Sequence, residues 1–578
     1  MKRFITNWEP RGIELEDEAL VAVGSTRKSA LIIAGPGAGK TEMLAQRASF
    51  LFETGACAAP KRILAISFKR DAAHNLQERV MLRCSATLSQ RFDSRTYSGW
   101  AKGLIDRFRL ALPAEYRPTK NYVIRRLSDP TDFKDRLLRV AGRAGVEGFR
   151  INNLSEDRLK ELFREHILGP IALEEAGAAR TPPTLTRCWW DAVLHGNSDS
   201  VLDFGMLEVL AELLLRTNPQ IVAALRAAYS FVFLDEFQDT THSQYRLLET
   251  AFKGSSAILT AVGDHKQRIM GWAGAYDKAF RAFRESFEAE DFRLLKNHRS
   301  APRLVQIQGH FISAFDPQVP TPEATDIGQN GEGECRILSF KDNQAEGLHL
   351  AREIQSWIEV DGVCPTDICV IVRQTKNGAG YTSELCRQLE QRKIRCRIQD
   401  DFQSLLTEPL TVAVVDAFKL CATPQCPQSW QALLLLAFRL RGISSGEEST
   451  VKARKIEAEQ SAFIKRLRSR MEVAGSLEDI QTMIGSILEF IGKEAFCRIH
   501  EQYLQTSFLQ QTASACARAL VDARRKTHSW AQALDDFLGI DTVPIMTIHK
   551  SKGLEYHTVV FIGLEDYPIK YLSRILPS

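Results

Sequence analysis

No apolar run in this chain approaches the ~18 residues that a membrane helix needs. The longest, Ala432 to Phe438, has the length of a core helix segment. Behind the basic residues of Met1 to Pro10 no apolar stretch follows that could act as a signal peptide, so the expectation is a cytoplasmic protein with no membrane contact. None of the 12 cysteines forms a Cys-x-x-Cys pair, which fits reduced thiols. Cys364/Cys369 and Cys421/Cys426 are spaced alike, yet no second pair or histidine cluster joins them to complete a metal site. Charge of one sign is also scarce. With a net charge of +4, any affinity for nucleic acid must come from a local stripe of Lys and Arg, and composition neither demands nor excludes DNA. Hydrophobic content of 44% and charged content of 25% are those of an ordinary globular chain, and 578 residues are too many for one core. Three or four domains are expected at about one per ~150 residues.

What is present is organised around Ala34-Gly35-Pro36-Gly37-Ala38-Gly39-Lys40-Thr41, between the apolar run Ala30 to Ile33 and the helix-like Glu42 to Arg47. The pattern reads as strand, phosphate loop, helix. Glycines let successive amides turn toward a phosphate, and the helix presents its positive N-terminal end to the same charge. Lys40 is placed to reach the β and γ phosphates and Thr41 to ligate Mg²⁺. Ala34 stands where the strict pattern has Gly.

A second strand-turn-helix unit follows. Arg62 to Phe68 is strand-like and Lys69 to Val80 helical. Ligands in open α/β sheets sit at the carboxyl ends of strands, which puts Ser67, Phe68 and Lys69 at a working edge. Phe68 reads either as a core aromatic or as a base-stacking ring. Ser94 to Trp100, with Thr96 among its hydroxyls, offers groups that hold phosphates. From about 105 to 200 the pattern is helical and mixed in charge, an inserted subdomain. The apolar strand Phe231 to Leu234 then runs into Asp235-Glu236-Phe237-Gln238-Asp239. Asp235 is suited to hold Mg²⁺ opposite Thr41, and Glu236 to orient and deprotonate the attacking water. A third strand, Ala257 to Asp264, leads to Gln267, a γ-phosphate sensor, and to Trp272, a base-stacking ring; Leu294 to Ser300 brings Arg299 to where it stabilises the transferring phosphoryl group.

These motifs, in this order, resemble those of the UvrD/Rep/PcrA family of superfamily 1 DNA helicases. The resemblance continues with Pro365 to Arg373 and with Val543-Pro544-Ile545-Met546-Thr547-Ile548-His549-Lys550-Ser551-Lys552-Gly553-Leu554-Glu555-Tyr556. It implies that Thr547 and His549 contact DNA phosphates, that Glu555 contacts the nucleotide ribose, and that His298, in place of a Tyr, stacks on adenine. It is weakest from about 410 to 540, a helical stretch whose basic clusters, Lys452 to Lys455 and Lys465 to Arg470, face either duplex DNA or water. Departures are the lack of any Gln between Arg11 and Ala34 to read adenine, Ala273 and Met270 beside Trp272, and no Thr-Arg-Ala-like segment after Glu565-Asp566.

The implied fold is α/β: two RecA-like parallel-sheet cores of the P-loop NTPase type, each with a helical insert. The expected segments are 1–104, the insert 105–200 and 201–301 for the first core, then 302–410, the insert 411–540 and 541–578 for the second. ATP would sit in the cleft between the cores and single-stranded DNA across the top. The implied function is an ATP- and Mg²⁺-dependent DNA helicase moving 3′ to 5′ on single-stranded DNA and unwinding duplex DNA, in repair, recombination, replication restart or phage defence, with a nuclease or repair partner protein. The alternative is a nucleotide-gated DNA-binding subunit with little turnover unless a partner supplies the absent arginine. An ATP-dependent nuclease finds little support, because no separate metal-binding carboxylate cluster is visible.

Overall fold

The structure, a computed structural model, describes residues 8–146, 148–172, 184–268, 274–315, 320–325, 331–373, 379–399, 405–423, 425–442, 447–500, 503 and 506–564. The chain divides into two compact units, Met1–Cys335 with Glu501–Ser507, and Arg336–His500 with Phe508–Ser578.

The strands of unit 1 are β1 (Ala30–Ala34), β2 (Arg62–Ser67), β3 (Phe92–Thr96), β4 (Val123–Ile124), β5 (Val201–Leu202), β6 (Tyr229–Asp235), β7 (Ile258–Gly263), β8 (Glu290–Leu294), β9 (Lys296–Asn297) and β10 (Glu323–Ala324). Six of them form one sheet in the order β3-β2-β6-β7-β1-β8, and every neighbouring pair is parallel. The central strands are nearly continuous apolar runs because helices cover both faces. Alternation divides their side chains between two cores. Leu31, Leu64, Ile66, Val232 and Leu234 point to one, and Ile32, Ile63, Ala65, Phe231 and Phe233 to the other. β8 is an edge strand, and Glu18 in the first turn of the helix Asp17–Gly24 accepts the Arg293 amide at 2.7 Å.

The helical insert shares a core with the sheet. Its helices Pro130–Ala141 and Leu185–His195, with the turn Phe163–Ile167, bury Phe133, Trp189, Trp190 and Phe163, with the Phe133 and Phe163 rings edge to face at 5.0 Å. These rings belong to the same buried cluster as Leu64, Val232 and Leu234.

Unit 2 carries β11 (Ile368–Val372), β12 (Cys396–Ile398), β13 (Val543–Thr547) and β14 (Thr558–Phe561), a parallel sheet in the order β12-β13-β11-β14. Between β12 and β13 the chain is helical, including Pro409–Ala422, Pro427–Leu440, Glu447–Val473 and Leu477–Ile491. The helix Glu447–Val473 buries Ile456, Phe463, Ile464, Leu467 and Met471 and leaves Lys452, Arg454, Lys455, Lys465, Arg466 and Arg470 exposed.

The boundary expected at residue 301 and the division at Cys335 differ by the segment carrying the helix Pro302–Phe315 and β10, and β10 pairs with β9 of unit 1. Among the described residues no helix is long and apolar enough to cross a membrane, and no group of three or more His, Cys, Asp or Glu is arranged to hold a metal by itself. All twelve cysteines are free thiols.

Candidate nucleotide and nucleic-acid site

The phosphate loop leaves β1 at Ala34 and enters the helix Lys40–Glu53 through Gly39. Gly37 (φ +70°) and Gly39 (φ +71°) are left-handed, a conformation that other residues adopt only under strain. Gly37 is constrained twice over. The His298 amide donates to its carbonyl at 2.8 Å, and a Cβ on Gly37 would lie 2.3 Å from Asn297 Oδ1 and 2.8 Å from Arg299 Cβ. Asn297, itself buried, accepts the amides of Arg299 (2.9 Å) and Ser300 (3.0 Å) on that same Oδ1. The loop and the segment 297–299 therefore press backbone to backbone, which delivers Arg299 to the rim of the phosphate cradle. His298 is held below the usual imidazole range by burial and by Lys296, so its ring is neutral at pH 7. Gly37→Ala adds a strained φ, costing about 1–3 kcal/mol, and a clash with Asn297. It is expected to weaken binding of a fluorescent ATP analogue about tenfold or more; affinity within twofold of wild type would show that segment 297–299 yields freely.

Lys40 Nζ donates to the Ala34 carbonyl at 3.4 Å. At the end of β6, Asp235 is buried and accepts the Glu236 amide at 2.9 Å. Burial, and next the neighbouring Glu236 charge, push the Asp235 carboxyl up to about 7 against the pull of Lys40. A buried carboxyl in that state is suited to a divalent cation, which compensates the desolvated charge. Glu236 itself is left-handed (φ +51°), an uncommon conformation for a residue with a side chain. Gln238 steadies it by donating to Glu236 Oε2, and the same Gln238 accepts the Asp264 amide on Oε1 at 3.1 Å. Gly263 leaves room for this bridge, since a Cβ there would stand 2.5 Å from Gln238 Oε1. Asp264 in turn accepts from the Lys266 amide at 3.0 Å and from Gln267 Nε2 at 3.1 Å. Glu236, Gln238, Asp264 and Gln267 thus form one hydrogen-bonded chain across the ends of β6 and β7.

The proposed nucleic-acid residues of unit 1 sit on the same edge. In the sheet register Thr96 lies opposite Ser67, and Ser67 opposite Asp235. Adjacent strands are about 4.8 Å apart, so the three are abreast over roughly 10 Å. Thr96 caps the helix Tyr97–Phe108, accepting the Gly99 amide at 3.0 Å. Lys69 is at the N-cap of the helix Arg70–Arg83, and Phe68 is half-buried. Ser67 has no exposed surface, and its Oγ makes no hydrogen bond. Trp272 lies outside the described residues, as do Met270 and Ala273; Ala275 just beyond pairs with Thr241, next to the Asp235–Asp239 loop.

Unit 2 carries the remaining residues. Thr547 ends β13 and starts the turn Ile548–Ser551, which contains His549, and Thr547 makes no capping bond with its side chain. Glu555 is exposed in the segment before β14. A pocket on the flank of the phosphate loop is lined by Ile33, Gly35, Pro36, Ala38, His265 and Leu295 and does not reach Lys40, Thr41, Asp235 or His298.

Sequence reasoning missed Glu42. This residue follows Lys40-Thr41 on the phosphate-loop helix, is buried, and accepts from Arg79 Nη1 (3.0 Å), Arg83 Nε (2.7 Å) and Gln46 Nε2 (2.9 Å). Burial raises its pKa, but these donors outweigh that and hold it below the ordinary carboxylate value. It ties the phosphate-loop helix to the helix that starts at Lys69. The two arginines four residues apart were the available signal.

Two family models match the chain. Residues 15–288 match the UvrD/REP helicase N-terminal domain, and residues 292–408 and 494–571 the UvrD-like helicase C-terminal domain. The unmatched stretch between 408 and 494 falls where the sequence resemblance is weakest. A probable DNA helicase II homolog of Mycoplasma capricolum is 28% identical over 392 residues, 66% of this chain and 51% of that protein. The ATP-dependent DNA helicase UvrD2 of Mycobacterium tuberculosis is 26% identical over 391 residues, 64% of this chain and 53% of its own length. DNA helicase II of Escherichia coli K12 is 22% identical over 602 aligned positions, 96% of this chain and 79% of that protein. The chain thus spans about half the length of the first two relatives. The two family models, matching the chain one after the other over 15–288 and then over 292–408 with 494–571, establish that the chain belongs to the UvrD/Rep-like helicase family.

Proposed function

We propose that this chain is an ATP-dependent DNA helicase or translocase that moves 3′ to 5′ on single-stranded DNA and unwinds duplex DNA. The observation that carries the reading is the alignment of Thr96, Ser67 and Asp235 abreast at the ends of β3, β2 and β6. A group that contacts DNA and one that answers to the nucleotide then share one sheet edge, separated by a single strand, so a displacement at either end is felt at the other. In this reading Ala34 to Lys40 cradle the phosphates, and Thr41 with Asp235 would hold Mg²⁺, which neutralises charge on the β and γ phosphates. Glu236 takes the proton of the attacking water, Gln267 reports the γ-phosphate through Asp264, and Arg299 stabilises the transferring group. His298, neutral at pH 7, offers a face for the adenine, and Glu555 would take the ribose. Phe68, Lys69, Thr96, Trp272, Thr547 and His549 would contact the strand, while Ser67, fully buried, would not.

The test is steady-state ATP hydrolysis by the 578-residue chain with and without single-stranded DNA, followed by strand displacement on duplexes carrying a 3′ or a 5′ tail. Turnover stimulated by DNA, with displacement on the 3′-tailed duplex, is the expected result. Stimulated turnover with displacement only on the 5′ tail would overturn the direction. Tight ATP and DNA binding without turnover would replace the motor with a nucleotide-gated DNA-binding protein that needs a partner.

A further inference from the structure

Glu208 lies in the helix Phe204–Thr217, is buried in unit 1 and is not among the residues assigned above to phosphate or DNA. Its Oε1 accepts from Ser98 Oγ at 3.0 Å and from Gln244 Nε2 at 2.9 Å, and its Oε2 from Ser243 Oγ at 2.7 Å. These donors belong to two different helix starts. Ser98 is in the first turn of Tyr97–Phe108, which begins at Thr96. Ser243 and Gln244 are in the first turn of His242–Phe252, which begins immediately after the Asp235–Asp239 loop. A carboxylate between two helix N-termini is favoured by both dipoles, which explains how a charge is tolerated there.

The contacts reach further into each segment. Gln244 spends both ends of its amide: Nε2 goes to Glu208, and Oε1 accepts the Thr241 backbone amide at 3.1 Å in the capping box of His242–Phe252. Thr241 Oγ1 and Ser243 Oγ are 3.0 Å apart. Tyr97 OH approaches Thr240 Oγ1 at 3.4 Å, a second and weaker tie between the two segments.

Resting on the helicase reading, we propose that Glu208 is a positioning residue that holds the Thr96 segment and the loop after Asp235 in one register, so that DNA stimulation of ATP hydrolysis runs through it. Without the carboxylate, Gln244 and Ser243 lose their common acceptor with Ser98, and among the described residues the hydrogen bonding between the two helix starts falls to the long Tyr97–Thr240 contact, while the stacked Trp100 and Phe252 rings still pack the two helices together. Glu208 accepts from both segments whose coupling the activity requires, with Oε1 shared between Ser98 of one and Gln244 of the other and Oε2 taken by Ser243.

Three groups facing Glu208 set its titration. Asp203, at the start of its own helix, disfavours its charge; Arg246 on His242–Phe252, held by the Leu168 carbonyl, favours it; and the Tyr97 phenol is itself pushed up, chiefly by burial and in part by Glu208. Burial dominates and raises the Glu208 carboxyl to about 7. Below that pH it is protonated and no longer accepts on both oxygens. The coupling should therefore weaken as pH falls from 8 to 6.

The experiment compares basal and DNA-stimulated ATP turnover in wild type, Glu208→Ala, Glu208→Gln and Ser98→Ala across pH 6–8, with a melting curve for each. Glu208→Ala is expected to lose stimulation by a factor within about 5–150, the usual range of coupling between two sites, while basal turnover and the KM for ATP stay within about twofold. Glu208→Gln keeps the shape but, like the protonated acid, accepts on one oxygen only, so it should hold stimulation near the wild-type level at pH 6 and flatten its pH dependence. Ser98→Ala, which cuts only the DNA-side contact at a half-buried position, should lower stimulation severalfold and decides the matter if Glu208→Ala does not fold. Unchanged stimulation in the folded variants, or equal loss of basal and stimulated rates, overturns the inference alone. A wild-type chain with no DNA-dependent turnover overturns the hydrolase reading and the inference with it.

Discussion

Glu236→Gln is expected to lower DNA-stimulated ATP turnover by about 10²–10⁴, the contribution of a positioned general base, and to leave ATP and DNA affinity within about twofold. Gln occupies the same volume and keeps an oxygen for the Gln238 amide, so the left-handed turn at 236 and the chain of bonds through Asp264 to Gln267 persist. What it loses is basicity. Steady-state rates beside equilibrium binding of labelled ATP and labelled DNA separate these quantities. Turnover within tenfold of wild type would remove Glu236 from the role of base and leave Asp235, already pushed toward neutrality by burial, as the group to examine.

Arg299→Ala carries the other large effect, about 10³–10⁵ in kcat, or ~4–7 kcal/mol of barrier. The basis is positional. The Asn297 carboxamide fixes the Arg299 backbone, and the Arg299 Cβ would stand 2.8 Å from a Cβ on Gly37, so the guanidinium has only its own length to travel to the loop. Arg299→Lys keeps the charge and loses the planar fork, so it should fall between wild type and alanine. The measurement is kcat against KM for ATP at saturating single-stranded DNA. A raised KM with kcat unchanged would mean that Arg299 holds ground-state ATP and does not act on the transferring group.

The fold was legible where an apolar run ends in chemistry. Ile32-Ile33 before the glycines and Phe233-Leu234 before Asp235-Glu236 each announce a buried parallel strand and, in the same stretch, what stands at its carboxyl end. The register was not legible, because nothing local to Thr96, Ser67 or Asp235 says which residue of a distant strand lies opposite. Ser67 shows the cost of that gap: polar and at a strand end, it reads as a contact residue, yet in the interior of the sheet, between β3 and β6, it has no exposed surface. Asn297 was read only as part of a motif, although its side chain is what sets Arg299 against Gly37. Glu42 and Glu208 stayed hidden for a different reason. A glutamate inside a helix is ordinarily solvated, and only the donors arriving from other helices, Arg79 and Arg83 for one and Ser98, Ser243 and Gln244 for the other, make burial tolerable.

The buried cluster that runs from Leu64, Val232 and Leu234 without a break into Phe133, Phe163 and Trp189 has a mechanical consequence. Close-packed interiors have low compressibility and pass strain on instead of absorbing it. A load applied to the outer surface of the insert therefore arrives at β2 and β6 within a few residues of Ser67 and Asp235. In the proposed motor the insert acts as a lever arm packed on the sheet, and a tug on it under an optical trap should change stepping before it changes grip.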